Sequence, residues 1–300
     1  MKRKKGSPSL AFVVSVSILT VAVAVARTCR KPAPVRHPAP VSRLEKFAWP
    51  RGIKAAVSIT FDHATNSQLD RGLPILDAHK VKASFYLDIP EAGKRLVDWR
   101  KAFAEGHEMA NHSLKHPCSA GFRFERRRGE KYASEQATLE WVEADIMEAN
   151  AELGRMFGAV PKTFSYPCGE AYVGKGEETR SYVPVVARHF IAGRGFGLDF
   201  SNNPADCDLA KVNSLAVDGF SFERFKRAID EAVASGNWVI FCGHAVGEQR
   251  GKYPSIASEE LEKLCSWLDQ NRGVVWTGTV AEVAEYIVKA RGAGTPGGKI

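Results

Sequence analysis

Four short clusters bring together residue types that bind metals or move protons. In Ser58-Ile59-Thr60-Phe61-Asp62-His63 an apolar run ends in a carboxylate and an imidazole. Taken alone, this also fits a turn or N-cap aspartate beside a surface histidine. In Asn111-His112-Ser113-Leu114-Lys115-His116-Pro117 two histidines stand four apart. That spacing presents two imidazoles on one side of a helical turn, as a metal site requires. Phe164-Ser165-Tyr166-Pro167-Cys168-Gly169 runs an apolar segment into a Pro/Gly turn. Such a turn either aims a backbone N–H at a substrate oxygen or merely connects two elements. Val239-Ile240-Phe241-Cys242-Gly243-His244 ends a buried-type run in Gly-His, where a lone histidine is usually structural.

The elements that must position these clusters are legible from periodicity. Val/Ile/Phe-rich runs predict strands over 55–61, 83–87, 107–110, 163–165, 212–217, 238–242 and 274–276. Amphipathic patterns predict helices over 69–79, 94–105, 135–157, 222–234, 259–271 and from 280 onward, the last opened by a Thr279…Glu282 capping box. Alternating strands and helices argue for parallel βα units, and their number suits a barrel. Each cluster lies just past the end of a predicted strand, the rim where βα barrels build active sites. No internal repeat is evident. Arg126-Arg127-Arg128 reads as a solvated loop before the long helix.

Charge is uneven along the chain. The 300 residues carry a formal +8, yet 1–43 hold nine basic residues and no acid. Residues 44–300 are left with 33 basic against 34 acidic, a net of −1. The body of the chain therefore has no electrostatic signature for nucleic acid. Residues 1–26 have the form of an export signal: Lys2–Lys5, then the apolar run Leu10–Ala26, with Ala24-Val25-Ala26 as a small-x-small cleavage site. Cleavage and retention as a single-pass membrane anchor both remain open. Residues 27–50 form a Pro-rich basic spacer, 51–290 the domain, and 291–300 a C-terminal tail. The expected location is periplasmic, cell-envelope or extracellular. Six cysteines show no CxxC pair, which argues against a cysteine zinc knuckle, while an oxidising compartment favours disulfides.

Together the clusters resemble the polysaccharide deacetylases, carbohydrate esterase family 4, in order and spacing across 50–290. Lys82-Ala83-Ser84-Phe85-Tyr86 resembles the family's second strand, and Gly106-His107-Glu108 its lead into the two histidines. The resemblance implies a distorted parallel (β/α) barrel and a divalent-metal-dependent deacetylase. It gives Asp62 the role of general base, His112 and His116 that of metal ligands, and His244 that of general acid. Cys168 would lend its backbone N–H to the oxyanion, with Asp218 a partner for His244. Cys118 and Cys168, both beside this site if the clusters converge, either form a disulfide that staples the metal loop to the oxyanion turn or stay as two buried free thiols, the other cysteines being left unpaired.

Two positions depart from the family pattern. His63 stands where the family has a second aspartate that binds metal, giving a three-histidine set that favours Zn2+. Ser165 stands where the family's turn begins with arginine, and Arg180 or Arg194, expected on later loops, could supply that charge. The expected function is hydrolysis of N-acetyl or O-acetyl groups on an acetylated polysaccharide of the envelope or environment. The alternatives are hydrolysis of another non-peptide carbon-nitrogen bond, or a degenerate glycan-binding protein.

Overall fold

The computed structural model describes residues 47–127, 131–197, 200–247 and 253–293. The expected export signal over 1–26, most of the spacer, Arg128 and the tail beyond 293 lie outside the described residues. Chain contacts divide the protein into Met1–Arg43 and Leu44–Ile300, and everything below concerns the second unit. No helix among the described residues is long and apolar enough to cross a membrane.

The strands in chain order are β1 (Ala55–Asp62), β2 (Ala83–Leu87), β3 (Glu108–Asn111), β4 (Thr163–Ser165), β5 (Tyr172–Val173), β6 (Arg180–Ser181), β7 (Ala192–Arg194), β8 (Leu215–Ala216), β9 (Trp238–Gly243), β10 (Ala245–Val246), β11 (Ser255–Ile256) and β12 (Val275–Thr277). The helices are α1 (Leu73–Ala78), α2 (Ile89–Lys94), α3 (Leu96–Ala104), α4 (Arg123–Arg127), α5 (Leu139–Phe157), α6 (Val183–His189), α7 (Phe222–Ser235), α8 (Ser258–Gln270) and α9 (Val280–Ala293). The main sheet runs β7-β4-β3-β2-β1-β9-β8, with β12 also paired to β1. Every ladder in it is parallel.

The sheet curls into a distorted barrel. Val212 bridges Arg194 on β7, and three residues later the same segment enters β8 beside β9. One short stretch thus touches both ends of the sheet. β1 shows why the sequence folds this way. Its alternate residues Val57, Ile59 and Phe61 pack outward with Leu76 of α1 and Leu264 of α8. Between them, Ser58 and Thr60 donate to the Gly278 and Phe241 carbonyls, and Asp62 ends the strand.

Several predicted elements are shorter or broken. The 69–79 helix divides into a π-helical turn over Gln68–Gly72 and α1. The 94–105 helix begins at 96, because Arg95 leaves helical geometry (φ −132, ψ 40) after α2. The long helix starts at Leu139, where the Thr138 hydroxyl accepts the Trp141 N–H, and it ends at Gly158 with φ 73. Of the predicted strand 212–217, only 215–216 join a ladder. The capping box is present: Thr279 N–H donates to Glu282, and Glu282 N–H to the Thr279 hydroxyl. Both ends of the domain extend beyond the expected boundaries. Trp49 stacks on Tyr286 at 5.9 Å and donates to the Gly236 carbonyl, so the last spacer residues belong to the barrel. Residues 291–293 continue α9 rather than the tail.

Candidate active site

Asp62 closes β1 inside the barrel, 4% exposed. Arg194, fully buried at the end of β7, donates from Nη2 to Asp62 Oδ1 at 2.5 Å and to the Ser165 hydroxyl. Its Nη1 donates to the Gly195 carbonyl and to Cys242 Sγ, and its guanidinium lies over the Tyr86 ring at 4.8 Å. Burial alone would raise the Asp62 pKa; Arg194 first, then the imidazoles of His112, His244 and His63, hold it well below the usual carboxylate range. The charge missing at Ser165 therefore arrives from a neighbouring strand, and the serine hydroxyl receives it. Arg194 sits on a strand, not the expected loop. Arg180 is exposed on the β5–β6 hairpin and donates to the Glu177 and Thr179 carbonyls, so it does not supply this charge.

The position of Arg194 depends on the glycine before it. A Cβ on Gly193 would lie 2.3 Å from the Ala210 carbonyl oxygen and 2.9 Å from the Tyr166 ring. Only glycine lets β7 sit this close to the segment that closes the barrel.

The His112–His116 segment is not a helical turn. It is a loop with Ser113 at φ 61 and His116 at φ 53. Asp145 of α5 accepts the Leu114 and Lys115 N–H groups, and the Ser113 hydroxyl accepts that of His116. The two rings still converge, with Nε2 atoms 3.2 Å apart. His63 joins them, its ring 5.2 Å from that of His112 and 5.0 Å from that of His116. His112 Nδ1 lies 3.0 Å from the Ser165 carbonyl, which only accepts, so Nδ1 carries the proton and Nε2 the lone pair. Burial pushes the His112 pKa down to about 3, against the pull of Asp62, so the ring is neutral at working pH.

This donor set fits a cation. One ligand atom from each of His63, His112 and His116 falls within a common 4.8 Å. Two imidazole nitrogens bound tetrahedrally to one zinc must be about 3.3 Å apart, given Zn–N bonds of about 2.0–2.1 Å. The His112–His116 separation meets that requirement. Cys118 and Cys168, which also lie near His116, are joined as a disulfide across 50 residues and offer no thiolate. That disulfide ties the histidine loop to the turn after β4. Cys207, Cys242 and Cys265 are free thiols.

Cys168 takes φ 56 in the turn Pro167–Gly169, where Gly169 and Glu170 N–H groups are spent on the Tyr166 and Pro167 carbonyls. His244 follows β9, its Nδ1 2.5 Å from Asp218 Oδ2 and its own N–H donated to Asp218 Oδ1. Burial lowers the His244 pKa, but Asp218 and then Asp62 outweigh it and raise the ring above its ordinary value. The His244 ring lies 5.4 Å from that of His63 and stacks on it. Left-handed backbone at non-glycine residues concentrates here: His63, Ala64, Ser113, His116 and Cys168 all have positive φ. Such strain persists where the surrounding structure fixes it, as at active sites.

Sequence reading reached Asp62, the histidines, Asp218 and the cysteines. It did not single out Asp145 or Gln68, nor the strand that carries Arg194. A three-residue Ala-Gly-Arg strand has neither branched nor aromatic residues to announce it.

Comparison with known proteins agrees with this architecture. The family described as polysaccharide deacetylase matches residues 51–182. A gellan lyase of Bacillus sp is 23% identical over 272 residues, covering 81% of this chain, and the match spans 10% of that protein's length. A Mycobacterium smegmatis structure described as a polysaccharide deacetylase aligns with TM-score 0.58 at 16% identity, covering 81% of this chain and 93% of that one. A similarly described Pseudomonas aeruginosa PAO1 structure gives 0.56 at 13%, covering 80% and 93%. At these identities the two structures share the fold. Asp62, His63, His112 and His116 all fall within the stretch that is similar to the polysaccharide deacetylase family.

Proposed function

We propose that the chain is an exported, metal-dependent deacetylase acting on an acetylated polysaccharide. The observation that carries this reading is the three-imidazole cluster flanked by the buried Asp62 and the Asp218-paired His244. His63, His112 and His116 would hold a divalent cation, and three nitrogen donors favour zinc among the common ions. When bound, such an ion activates water and polarises an acyl carbonyl.

The chain's own residues supply the remaining steps. Asp62, kept ionised by Arg194, accepts the proton of the attacking water. The Cys168 N–H, fixed by the strained turn and the disulfide, donates to the oxyanion. His244, held protonated by Asp218, gives its proton to the leaving amine or alcohol.

Acetate release across a panel of acetylated glycans tests the reading, with and without chelator and added zinc. Asp62→Asn is expected to lower kcat by about 100-fold or more while zinc stays bound. Metal-loaded protein that binds glycan yet releases no acetate would mark a degenerate glycan-binding domain. Release from small amides alone would mark a different carbon-nitrogen hydrolase.

Asp218→Asn carries a pH prediction. The acid must be protonated to work, and removing the carboxylate lowers its pKa. The alkaline limb of kcat should therefore move to lower pH, by about one unit or more. A pH–rate profile reads this directly, and an unmoved limb removes Asp218 from the mechanism.

A further inference from the structure

The strands that end in Asp62 and His244 are neighbours, and their ladder stops at the pair Phe61 and Gly243. Beyond that pair each chain turns away, one toward His63 and the other toward β10. The next two carbonyls, those of Asp62 and His244, lie at the mouth of the barrel with no further rung between the strands. Gln68 fills this gap. Its Nε2 donates to the Asp62 carbonyl at 2.7 Å and to the His244 carbonyl at 2.5 Å. Both partners only accept, so nitrogen and not oxygen must face them, and the amide orientation is settled by chemistry.

Gln68 is fully buried. Its Oε1 is buried without a hydrogen-bond partner, so only the two Nε2 bonds offset the cost of burying this amide. It also opens the π-helical turn Gln68–Gly72, a geometry that recurs at functional sites. Next to it the Ser67 hydroxyl accepts the Val246 N–H, so the same loop is tied twice to the chain that follows β9.

We propose that Gln68 is a positioning residue, a clamp that sets the spacing between the base-bearing end of β1 and the acid-bearing end of β9. This rests on the deacetylase reading, in which Asp62 and His244 act on opposite sides of one acyl group. The clamp touches neither substrate nor reacting atoms. It acts through two main-chain carbonyls, so its loss should slow turnover and leave binding intact.

The test is steady-state acetate release by zinc-loaded Gln68→Met, which keeps the length of the side chain and removes both donors. The comparison is Leu264→Ala, a core variant of α8 that removes apolar packing behind β1 and no hydrogen bond, with melting temperatures measured for both. Expected is a fall in kcat of about tenfold or more, with KM within about twofold and zinc stoichiometry unchanged, while Leu264→Ala keeps its kcat despite a lower Tm. Gln68→Glu, of the same shape but with an acceptor against both carbonyls, should fall further than Gln68→Met. If Gln68→Met does not fold, Gln68→Asn keeps the donors on a shorter arm and should still lose kcat.

An unchanged kcat in these variants overturns the clamp. So does a kcat loss that Leu264→Ala shares, or a rise in KM alone. The two readings separate cleanly. Wild-type protein that releases no acetate removes the deacetylase reading and the clamp with it, whereas active wild type with equally active Gln68 variants removes the clamp only.

Discussion

Arg194→Met is expected to destabilise the domain by about 3–5 kcal/mol and to remove most of its activity at neutral pH. The substitution keeps much of the packing volume but strips the one cation from a buried carboxylate. Asp62 is 4% exposed and Arg194 fully buried, so no water replaces the lost guanidinium. Ser165, Cys242 and the Gly195 carbonyl would lose a partner at the same time.

The sign of the pH dependence follows from Asp62. In the native protein its folded pKa lies below its ordinary 3.8, so the pair's contribution is present above that value and is lost as pH falls through the folded pKa. In Arg194→Met burial dominates and the folded pKa rises above 3.8. The stability gap between wild type and variant should therefore be widest at neutral pH and shrink on acidification. Urea denaturation at about pH 7 and about pH 4.5 measures it. The acid limb of kcat/KM should move upward, because the base now needs higher pH to ionise. Arg194→Lys restores a charge without the planar fork that reaches Asp62, Ser165 and Cys242 together, and should recover stability better than rate. Equal stability of Arg194→Met and wild type at neutral pH would falsify the pairing argument.

Removing one imidazole gives the second large effect. His112→Ala is expected to weaken zinc binding by at least about 100-fold, beyond what loss of a supporting hydrogen bond costs, and to abolish acetate release. His112 is the most buried of the three imidazoles, with Nδ1 bonded to the Ser165 carbonyl and Nε2 directed at His116. Because burial holds its pKa at about 3, protons do not compete for this nitrogen at ordinary pH. Metal analysis after dialysis and isothermal titration with zinc check the prediction. A chelator should abolish wild-type activity, and added zinc should restore it. Stoichiometric zinc in His112→Ala would show that the ion binds elsewhere.

Part of this site is local in sequence and was legible there. Asp62 and His63 follow a strand whose alternate residues are apolar, and His112 and His116 lie within five residues of each other. His244 ends a run of buried-type residues. Such signals depend on strand periodicity and short spacing, which the sequence carries on its own. The spacing still misled on local geometry: HxxxH suggested a helical turn, whereas the Asp145 carboxylate of α5 holds it as a loop.

What the tertiary structure decided is the set of contacts made across the barrel. Arg194 and Asp62 are 132 residues apart, and their strands are four places apart in the sheet order. They meet only because the sheet curls and turns alternate residues inward. No local pattern marks which of many arginines will face a given carboxylate, since burial of a charge is settled by what lies opposite it. The same holds for Gln68, an ordinary polar residue in sequence, whose place is fixed by two carbonyls that emerge where neighbouring strands part. The sequence by itself determined which groups could act at the strand ends. The closure of the barrel determined which of them are ionised, how far apart they stand, and which neighbours hold them there.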